Sequence, residues 1–352
     1  MAEIRPLTQA DVPRIVVFLR EHMSGWPLDE RAVVGLMLDH PWADDELQSL
    51  VAVNERDTII GFTGVQARRM RFDGRPLRGV CCTHAVVDPA HRGGAVGALL
   101  LSRILAGPQA VTWADSATEA VARVYGIFGG HVDYARACDW MLVLRPVRWA
   151  RQIAAAAARR EPVSRRTFVP VGAMPIQAAG RRLLRRAFPD LPADVRSDNA
   201  SVDAIAEHVP ALNRQRRVWI DHDPEQLDRL FRLVETFRGP LVRRLVRRGD
   251  RVVGWYAYLL GRGGPSRVLH LAGLDQEIDA VLGDLLSHAR RRGSAVVTGR
   301  AEPHLQAALE RRFAVLGFAR QPVVRAKEPD LAAALATSAS LLTRLEGEVF
   351  GI

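Results

Sequence analysis

The groups best suited to chemistry lie in a glycine-rich stretch that runs from Arg92 to Gly97. Glycine lets the backbone approach a ligand closely, and the free N–H groups at the start of a helix favour an anion such as a pyrophosphate. The alternative is a tight turn between a strand and a helix that binds nothing, and the loop taken alone leaves it open. The predicted anion site consists of Arg92, Gly93, Gly94, Ala95, Val96 and Gly97.

Two elements must hold this loop in place. A β-branched, apolar run over residues 81–87 predicts a buried strand, which ends at Asp88-Pro89 because proline cannot donate to the ladder. After the loop, apolar residues at helical spacing predict a helix that stops at Gly107-Pro108. The loop lacks the Gly-Lys-Ser/Thr of a phosphate loop and the G-x-G-x-x-G spacing of a dinucleotide fingerprint.

The stretch resembles motif A of the GCN5-related N-acetyltransferases, V-x-P-x-x-R-x-x-G-x-G/A. Val87, Pro89, Arg92 and Gly97 fit this motif, while Ala95 stands where the family most often has glycine. Alanine at a helix start still leaves its N–H free, so the departure is mild. The resemblance implies an N-acyltransferase that uses acetyl-CoA or another acyl-CoA as co-substrate.

The same resemblance implies how the coenzyme would lie. In the family, acyl-CoA binds where two neighbouring strands splay, with its pyrophosphate on the loop that corresponds to Arg92–Gly97. Its pantetheine arm would pair with Val86 and Val87, and the N–H of Val87 would polarise the thioester carbonyl. An amine attacks the thioester directly, so no covalent enzyme intermediate is needed.

Two side chains are candidates for proton transfer. Residues 122–131 resemble the family element after the fifth strand, and Tyr125 aligns with the tyrosine that serves many relatives as general acid. His84 lies on the motif strand where relatives often carry a glutamate, and histidine ordinarily titrates near neutrality, which suits a base. The structural alternatives are a tyrosine and a histidine that only fill the core.

The sequence predicts no metal site. His91, His131 and Asp133 match no ligand spacing that is typical of a metal centre. The cysteines are few, odd in number and flanked by apolar residues, which predicts reduced core thiols rather than a disulfide or metal set: Cys81, Cys82 and Cys138.

Length and element order predict the domain organisation. At 352 residues the chain suits two domains. Residues 1–146 follow the order of one acetyltransferase domain, closed by a strand over Trp140–Leu144. Residues 147–200 read as a connector with Ala- and Arg-rich helices, and residues 201–352 repeat the order without the motif and end in a strand within 340–345. We therefore expect an α/β (α+β) fold with two tandem acetyltransferase-like mixed sheets, the second degenerate.

Composition indicates which classes of ligand and partner the chain favours. The net charge of +10 favours anionic ligands, but aromatic residues make up 6% of the chain and are not interleaved with the arginines, which argues against nucleic acid. We expect a small-molecule amine as acceptor rather than a protein. The absence of a secretory signal and of an apolar run of about eighteen residues predicts a cytoplasmic protein without a membrane span. A homodimer is compatible with the sequence, and a non-catalytic acyl-CoA-sensing or interaction module is the alternative function.

Overall fold

The computed structural model describes residues 2–23, 29–158 and 191–349. These residues form a mixed α/β fold with two mixed sheets, as the sequence predicts. No helix among them is long and apolar enough to cross a membrane. The helices and strands of the first half are β1 (Glu3–Pro6), α1 (Val12–His22), α2 (Glu30–Met37), β2 (Leu50–Val53), β3 (Ile59–Phe72), β4 (Arg75–Val87), α3 (Val96–Leu105), β5 (Val111–Ala114), α4 (Glu119–Ile127), β6 (His131–Val132), β7 (Cys138–Val143) and α5 (Pro146–Ala158).

The second half of the chain also alternates between helices and strands. Its elements are β8 (Val195–Asn199), α6 (Val202–Leu212), β9 (Val218–Ile220), α7 (Pro224–Arg238), β10 (Leu241–Arg248), β11 (Arg251–Leu259), β12 (Pro265–Gly273), α8 (Ile278–Arg291), β13 (Val296–Arg300), α9 (Gln306–Arg311), β14 (Val315–Phe318), β15 (Val323–Ala326), α10 (Pro329–Leu335) and β16 (Ser340–Leu341).

Side-chain caps begin several of the helices. Asp29 accepts a hydrogen bond from the N–H of Ala32 (3.1 Å) at the start of α2, and Thr118 accepts one from Val121 (3.3 Å) at the start of α4. Such caps satisfy N–H groups that have no acceptor within the helix, and each contributes about 1 kcal/mol.

The two sheets exchange strands. The first sheet has the order β1-β2-β3-β4-β5-β15-β6, with β9 added beside the far end of β3 and β16 beside β9. The second has the order β14-β7-β13-β12-β11-β10-β8. Thus β7 from the first half lies in the second sheet, and β15 from the second half lies between β5 and β6 in the first.

This exchange corrects the prediction that the strand over Trp140–Leu144 closes the first sheet. The strand forms, as β7, but it pairs with β13 and β14. The final strand predicted within 340–345 forms only over Ser340–Leu341, as β16. It pairs with β9 in the first sheet and not with the second sheet. The pairing partner of a short apolar strand is set by distant segments, so local patterning cannot reveal it.

The halves share one core. The largest cluster of buried apolar side chains joins α1 and α2 of the first half to α6 and α7 of the second, with Leu19 and Leu227 both fully buried. The division at residues 146 and 200 remains a prediction, since each sheet contains a strand from the other half. The predicted connector begins with α5, and its remainder from 159 to 190 lies outside the described residues.

Candidate active site

The two central parallel strands of the first sheet separate. β4 and β5 pair only at Gly79–Val111, Val80–Thr112 and Cys81–Trp113, after which β4 continues to Val87. On its other side, β4 stays paired with β3 as far as Gly61–Val87. Within the described part of the chain, the β5-facing edge of residues 82–87 therefore has no strand partner.

A β-bulge marks the open part of β4. Between the pairs Phe62–Val86 and Gly64–Thr83, β4 has two residues, His84 and Ala85, opposite a single residue of β3. His84 takes a left-handed backbone conformation with φ of 54°. Bulges of this kind bend a strand and redirect its backbone groups, and they are common beside active sites.

The bulge sets the direction of the backbone groups of Val87. The N–H of Asp88 donates to the carbonyl of Ile60 (3.0 Å), which makes Asp88 and Ile60 a hydrogen-bonded pair. Because such pairs alternate along an antiparallel ladder, the N–H and C=O of Val87 point away from β3 and into the gap. The carbonyl of Val87 there accepts a hydrogen bond from Nε of Arg92 (3.2 Å).

The glycine-rich loop lies at the mouth of this gap. Residues 92–95 are exposed, and the first helical hydrogen bond of α3 runs from the N–H of Leu99 to the carbonyl of Ala95 (2.8 Å). The N–H of Arg92 donates to the carbonyl of Pro89 (3.3 Å), whereas the N–H groups of residues 93–98 have no backbone acceptor among the described residues. Gly93 needs its positive φ of 84°, while a Cβ on Gly97 would lie 3.2 Å from Cγ2 of Val87. Glycine at 97 lets the start of α3 approach β4.

Tyr125 projects from α4 into the core beside β4. Its side chain is fully buried, and its hydroxyl faces the Cys82 thiol, with no oxygen or nitrogen partner among the described residues. Burial, followed by the neighbouring Cys82 group, holds the pKa of the Tyr125 phenol well above its ordinary value. The phenol therefore stays protonated across the physiological range.

His84 lies at the bulge and is 4% exposed. Its Nδ1 is 2.6 Å from Oγ1 of Thr83. Burial lowers the pKa of the imidazole to about 3, so His84 is neutral at physiological pH and a weak proton acceptor.

The sequence analysis missed a carboxylate that the C-terminal segment brings to this region. Oε2 of Glu348 lies 3.0 Å from Oγ of Ser116, which follows β5, and the N–H of Glu348 donates to Oδ2 of Asp115 (2.9 Å). Burial, with the charge of Asp115, raises the pKa of Glu348 to about 8, and its charge contributes to the pKa of Tyr125. A contact between residues more than 200 positions apart leaves no pattern that a sequence would reveal.

One cluster has the side chains that metals prefer. His222, His270 and Glu346 are buried, with candidate ligand atoms within 4.8 Å of one another. Oε1 of Glu346 lies 2.9 Å from Nε2 of His222 and 3.0 Å from Nδ1 of His270, so imidazole N–H groups can satisfy it without an ion. His91, His131 and Asp133 do not belong to this cluster. That the chain needs no metal stays a prediction.

No protein-family model and no curated protein sequence matches the chain. Solved structures resemble it along nearly its whole length. A GCN5-related N-acetyltransferase from Anabaena variabilis has a TM-score of 0.58 at 12% identity, covering 93% of this chain and 73% of that one. Eis1 from Mycobacterium abscessus has a TM-score of 0.56 at 18% identity, with coverages of 96% and 76%.

A third similar structure is the Saccharomyces cerevisiae N-myristoyltransferase with bound myristoyl-CoA, with a TM-score of 0.54 at 11% identity and coverages of 97% and 84%. Likeness at such low identity concerns the fold alone. The chain has the fold of the GCN5-related N-acetyltransferases, in two tandem sheets, which confirms the fold that motif A implies.

Proposed function

We propose that the protein is an N-acyltransferase that moves an acetyl or longer acyl group from acyl-CoA to a small-molecule amine. The observation that supports it most is the gap between β4 and β5, with the N–H of Val87 directed into it and the free amides of residues 93–97 at its mouth. The residues present fit an acyl-CoA. A free strand edge suits the amide-bearing pantetheine arm, and unpaired amides at a helix start suit a pyrophosphate.

The reaction follows from these positions. The amine nitrogen bonds to the thioester carbon, the N–H of Val87 stabilises the negative charge on the carbonyl oxygen, and the C–S bond then breaks. Tyr125 gives its phenolic proton to the departing thiolate; its raised pKa keeps that proton on the phenol at working pH, although it also makes the phenol a weaker acid than an exposed tyrosine. Val86 and Val87 hold the pantetheine arm, and Arg92, Gly93, Gly94, Ala95, Val96 and Gly97 hold the pyrophosphate.

The proton of the attacking amine needs an acceptor. The sequence predicts His84, whose pKa of about 3 makes it a weak base. Glu348, with a pKa of about 8, is better matched to a base that works near neutrality. We therefore place Glu348 beside His84 as the second candidate base.

The first test is calorimetric titration with acetyl-CoA, coenzyme A and palmitoyl-CoA. The wild-type chain should bind at least one of them near micromolar strength, and Gly97→Glu should abolish binding by filling the approach of α3 to β4 and by adding an anion at the helix start. Gly126→Glu is the matched control, because a Cβ at that exposed helical glycine would meet nothing within 4 Å. Failure of every coenzyme to bind would refute the proposal.

The second test measures turnover by thiol release with a panel of amines. Tyr125→Phe should lower kcat by about 100-fold, the lower end of the usual range for a general acid, with an unchanged Kd for the coenzyme. Unchanged turnover would remove Tyr125 from the mechanism. Coenzyme binding without turnover on any amine would instead select the sensing module.

A further inference from the structure

A cavity of about 740 Å³ opens beside the second sheet. β7, β12, β13 and β14 contribute to its walls, together with Trp149 of α5. β12 and β13 pair in parallel only from Pro265–Val296 to Arg267–Thr298, so this sheet splits just as the first one does. The volume lies within the range of small-molecule sites.

Two arginines in this cavity lack partners in the part of the chain that the structure describes. The guanidinium groups of Arg267 and Arg320 line it, and neither makes a hydrogen bond or ion pair with any described residue. Elsewhere, partly buried arginines are paired, as Arg248 is with Glu277 and Asp194. Burial and then the charge of nearby Arg344 lower the pKa of Arg267 and of Arg320 to about 10.

The cavity wall also includes a neutral hydrogen-bond donor, the indole N–H of a tryptophan. Trp149 lines the cavity, is 4% exposed, and has a buried indole N–H without an acceptor among the described residues. An unpaired buried donor costs about 1–3 kcal/mol, which a bound acceptor group would recover. The carboxylate of Asp139 also lines the cavity, but it is paired with Arg344. Two cations and an indole donor without acceptors therefore suit an anion attached to an apolar body.

The cavity adjoins the proposed acyl-transfer site. Ser116 lines it and also contacts Glu348 (Oγ to Oε2, 3.0 Å). The N–H of Ala117 donates to the carbonyl of Gln321 (2.8 Å), which holds Arg320 next to the end of β5. A ligand in the cavity therefore lies near the point where β4 and β5 separate.

We propose that the cavity binds the acceptor, and that the acceptor is an amine that also carries a carboxylate or phosphate group, which Arg267 and Arg320 recognise. This inference rests on the proposed acyl transfer for the identity of the acceptor as an amine. The anion-binding property of the cavity stands on Arg267 and Arg320, which have no partner among the described residues, and on the Trp149 indole alone.

Matched pairs of amines test it. L-Phenylalanine is compared with phenethylamine, and glucosamine 6-phosphate with glucosamine, both by titration calorimetry and as acceptors with saturating acetyl-CoA. At least one anionic member should bind and react at least 10-fold better than its neutral partner, and the pair that does so separates carboxylate from phosphate. Arg267→Met and Arg320→Met should each raise the KM of the anionic acceptor at least 10-fold and leave the KM of acetyl-CoA unchanged.

Arg262→Met is the control, because Arg262 is exposed, precedes the same strand and does not line the cavity. Equal binding of charged and neutral partners, or a raised KM for acetyl-CoA instead of the acceptor, would overturn the inference and leave the proposed function intact. Binding of an anionic probe that depends on Arg267 and Arg320, without acyl transfer, would overturn the proposed function and retain the anion site.

Discussion

A buried ion network joins the two sheets at Arg300 of β13. Its guanidinium donates to Oδ1 of Asp115 (2.5 Å), which follows β5, and to Oε1 of Glu302 (2.6 Å). Glu302 also accepts from Nε of Arg136 (3.1 Å). The four side chains are no more than 5% exposed. Arg300→Met keeps most of the volume but removes the charge that Asp115 faces.

Removal of one partner from a buried pair costs about 3–5 kcal/mol, because the other charge is left without compensation. Glu302 keeps Arg136, and Asp115 keeps the N–H of Glu348 (2.9 Å), so we expect about 3 kcal/mol for Arg300→Met. Urea unfolding at pH 7, followed by tryptophan fluorescence, should show the midpoint fall with the m-value unchanged.

The pH dependence of this loss gives a sharper check. In the wild type, nearby arginines outweigh burial and hold the pKa of Asp115 below its ordinary value, so its contribution is present above the unfolded-state pKa and is lost as pH falls. In Arg300→Met, burial should raise the pKa of Asp115. Protonation of Asp115 at low pH then removes the uncompensated buried charge, so the variant loses less stability there. The difference in the free energy of unfolding should shrink from pH 7 to pH 4.

The control is Arg196→Met, because Arg196 pairs with Asp250 on the surface, where their side chains are 62% and 103% exposed. That loss should stay below about 1 kcal/mol. A loss for Arg300→Met as small as that of the control, or one that does not change with pH, would refute the reasoning about the network.

Three further predictions concern single side chains. Asp11→Asn should lower the free energy of unfolding at pH 7 by about 1–3 kcal/mol and by less at pH 3, because hydrogen bonds from Arg5 hold the pKa of Asp11 well below its ordinary value and its contribution is lost progressively as the pH falls below about 4; urea curves at both pH values measure this. The pH profile of kcat/KM should bend near pH 8, where Glu348 titrates, and Glu348→Gln should remove the bend while His84→Gln keeps it; the opposite pattern would restore His84 as base. Gly79→Val should cost about 1–3 kcal/mol in urea unfolding and weaken acetyl-CoA binding, because a Cβ there would overlap Sδ of Met70 in the short paired stretch that precedes the β4–β5 gap; wild-type stability would contradict this account.

Local patterns were sufficient for the elements around the loop. The predicted strand over 81–87 and the helix after the loop are present as β4 and α3, because a β-branched run, a proline and helical spacing are signals within a few residues of one another. The split of β4 and β5 was expected only through the resemblance to motif A. The bulge at His84 had no local signal, since histidine is not the residue that a positive φ favours most.

The rest of the site depends on contacts between distant segments. Glu348 reaches Ser116 across 232 positions, and Arg300 reaches Asp115 across 185. A buried carboxylate has the same sequence signature as an exposed one, so its partner becomes visible only in the folded chain. The sequence analysis also missed the strand β15. Its four residues are too short a run to indicate which strands they pair with.

The strand exchange itself brings the cavity and the proposed acyl site together. β14 belongs to the second sheet and lines the cavity, while β15, which pairs with β5, belongs to the first, and only residues 319–322 connect them. Arg320 and Gln321 lie in that connection, so the link that carries the chain between the sheets also places a cavity-lining cation beside the end of β5. The topology therefore gives the proposed acceptor cavity its place next to the gap.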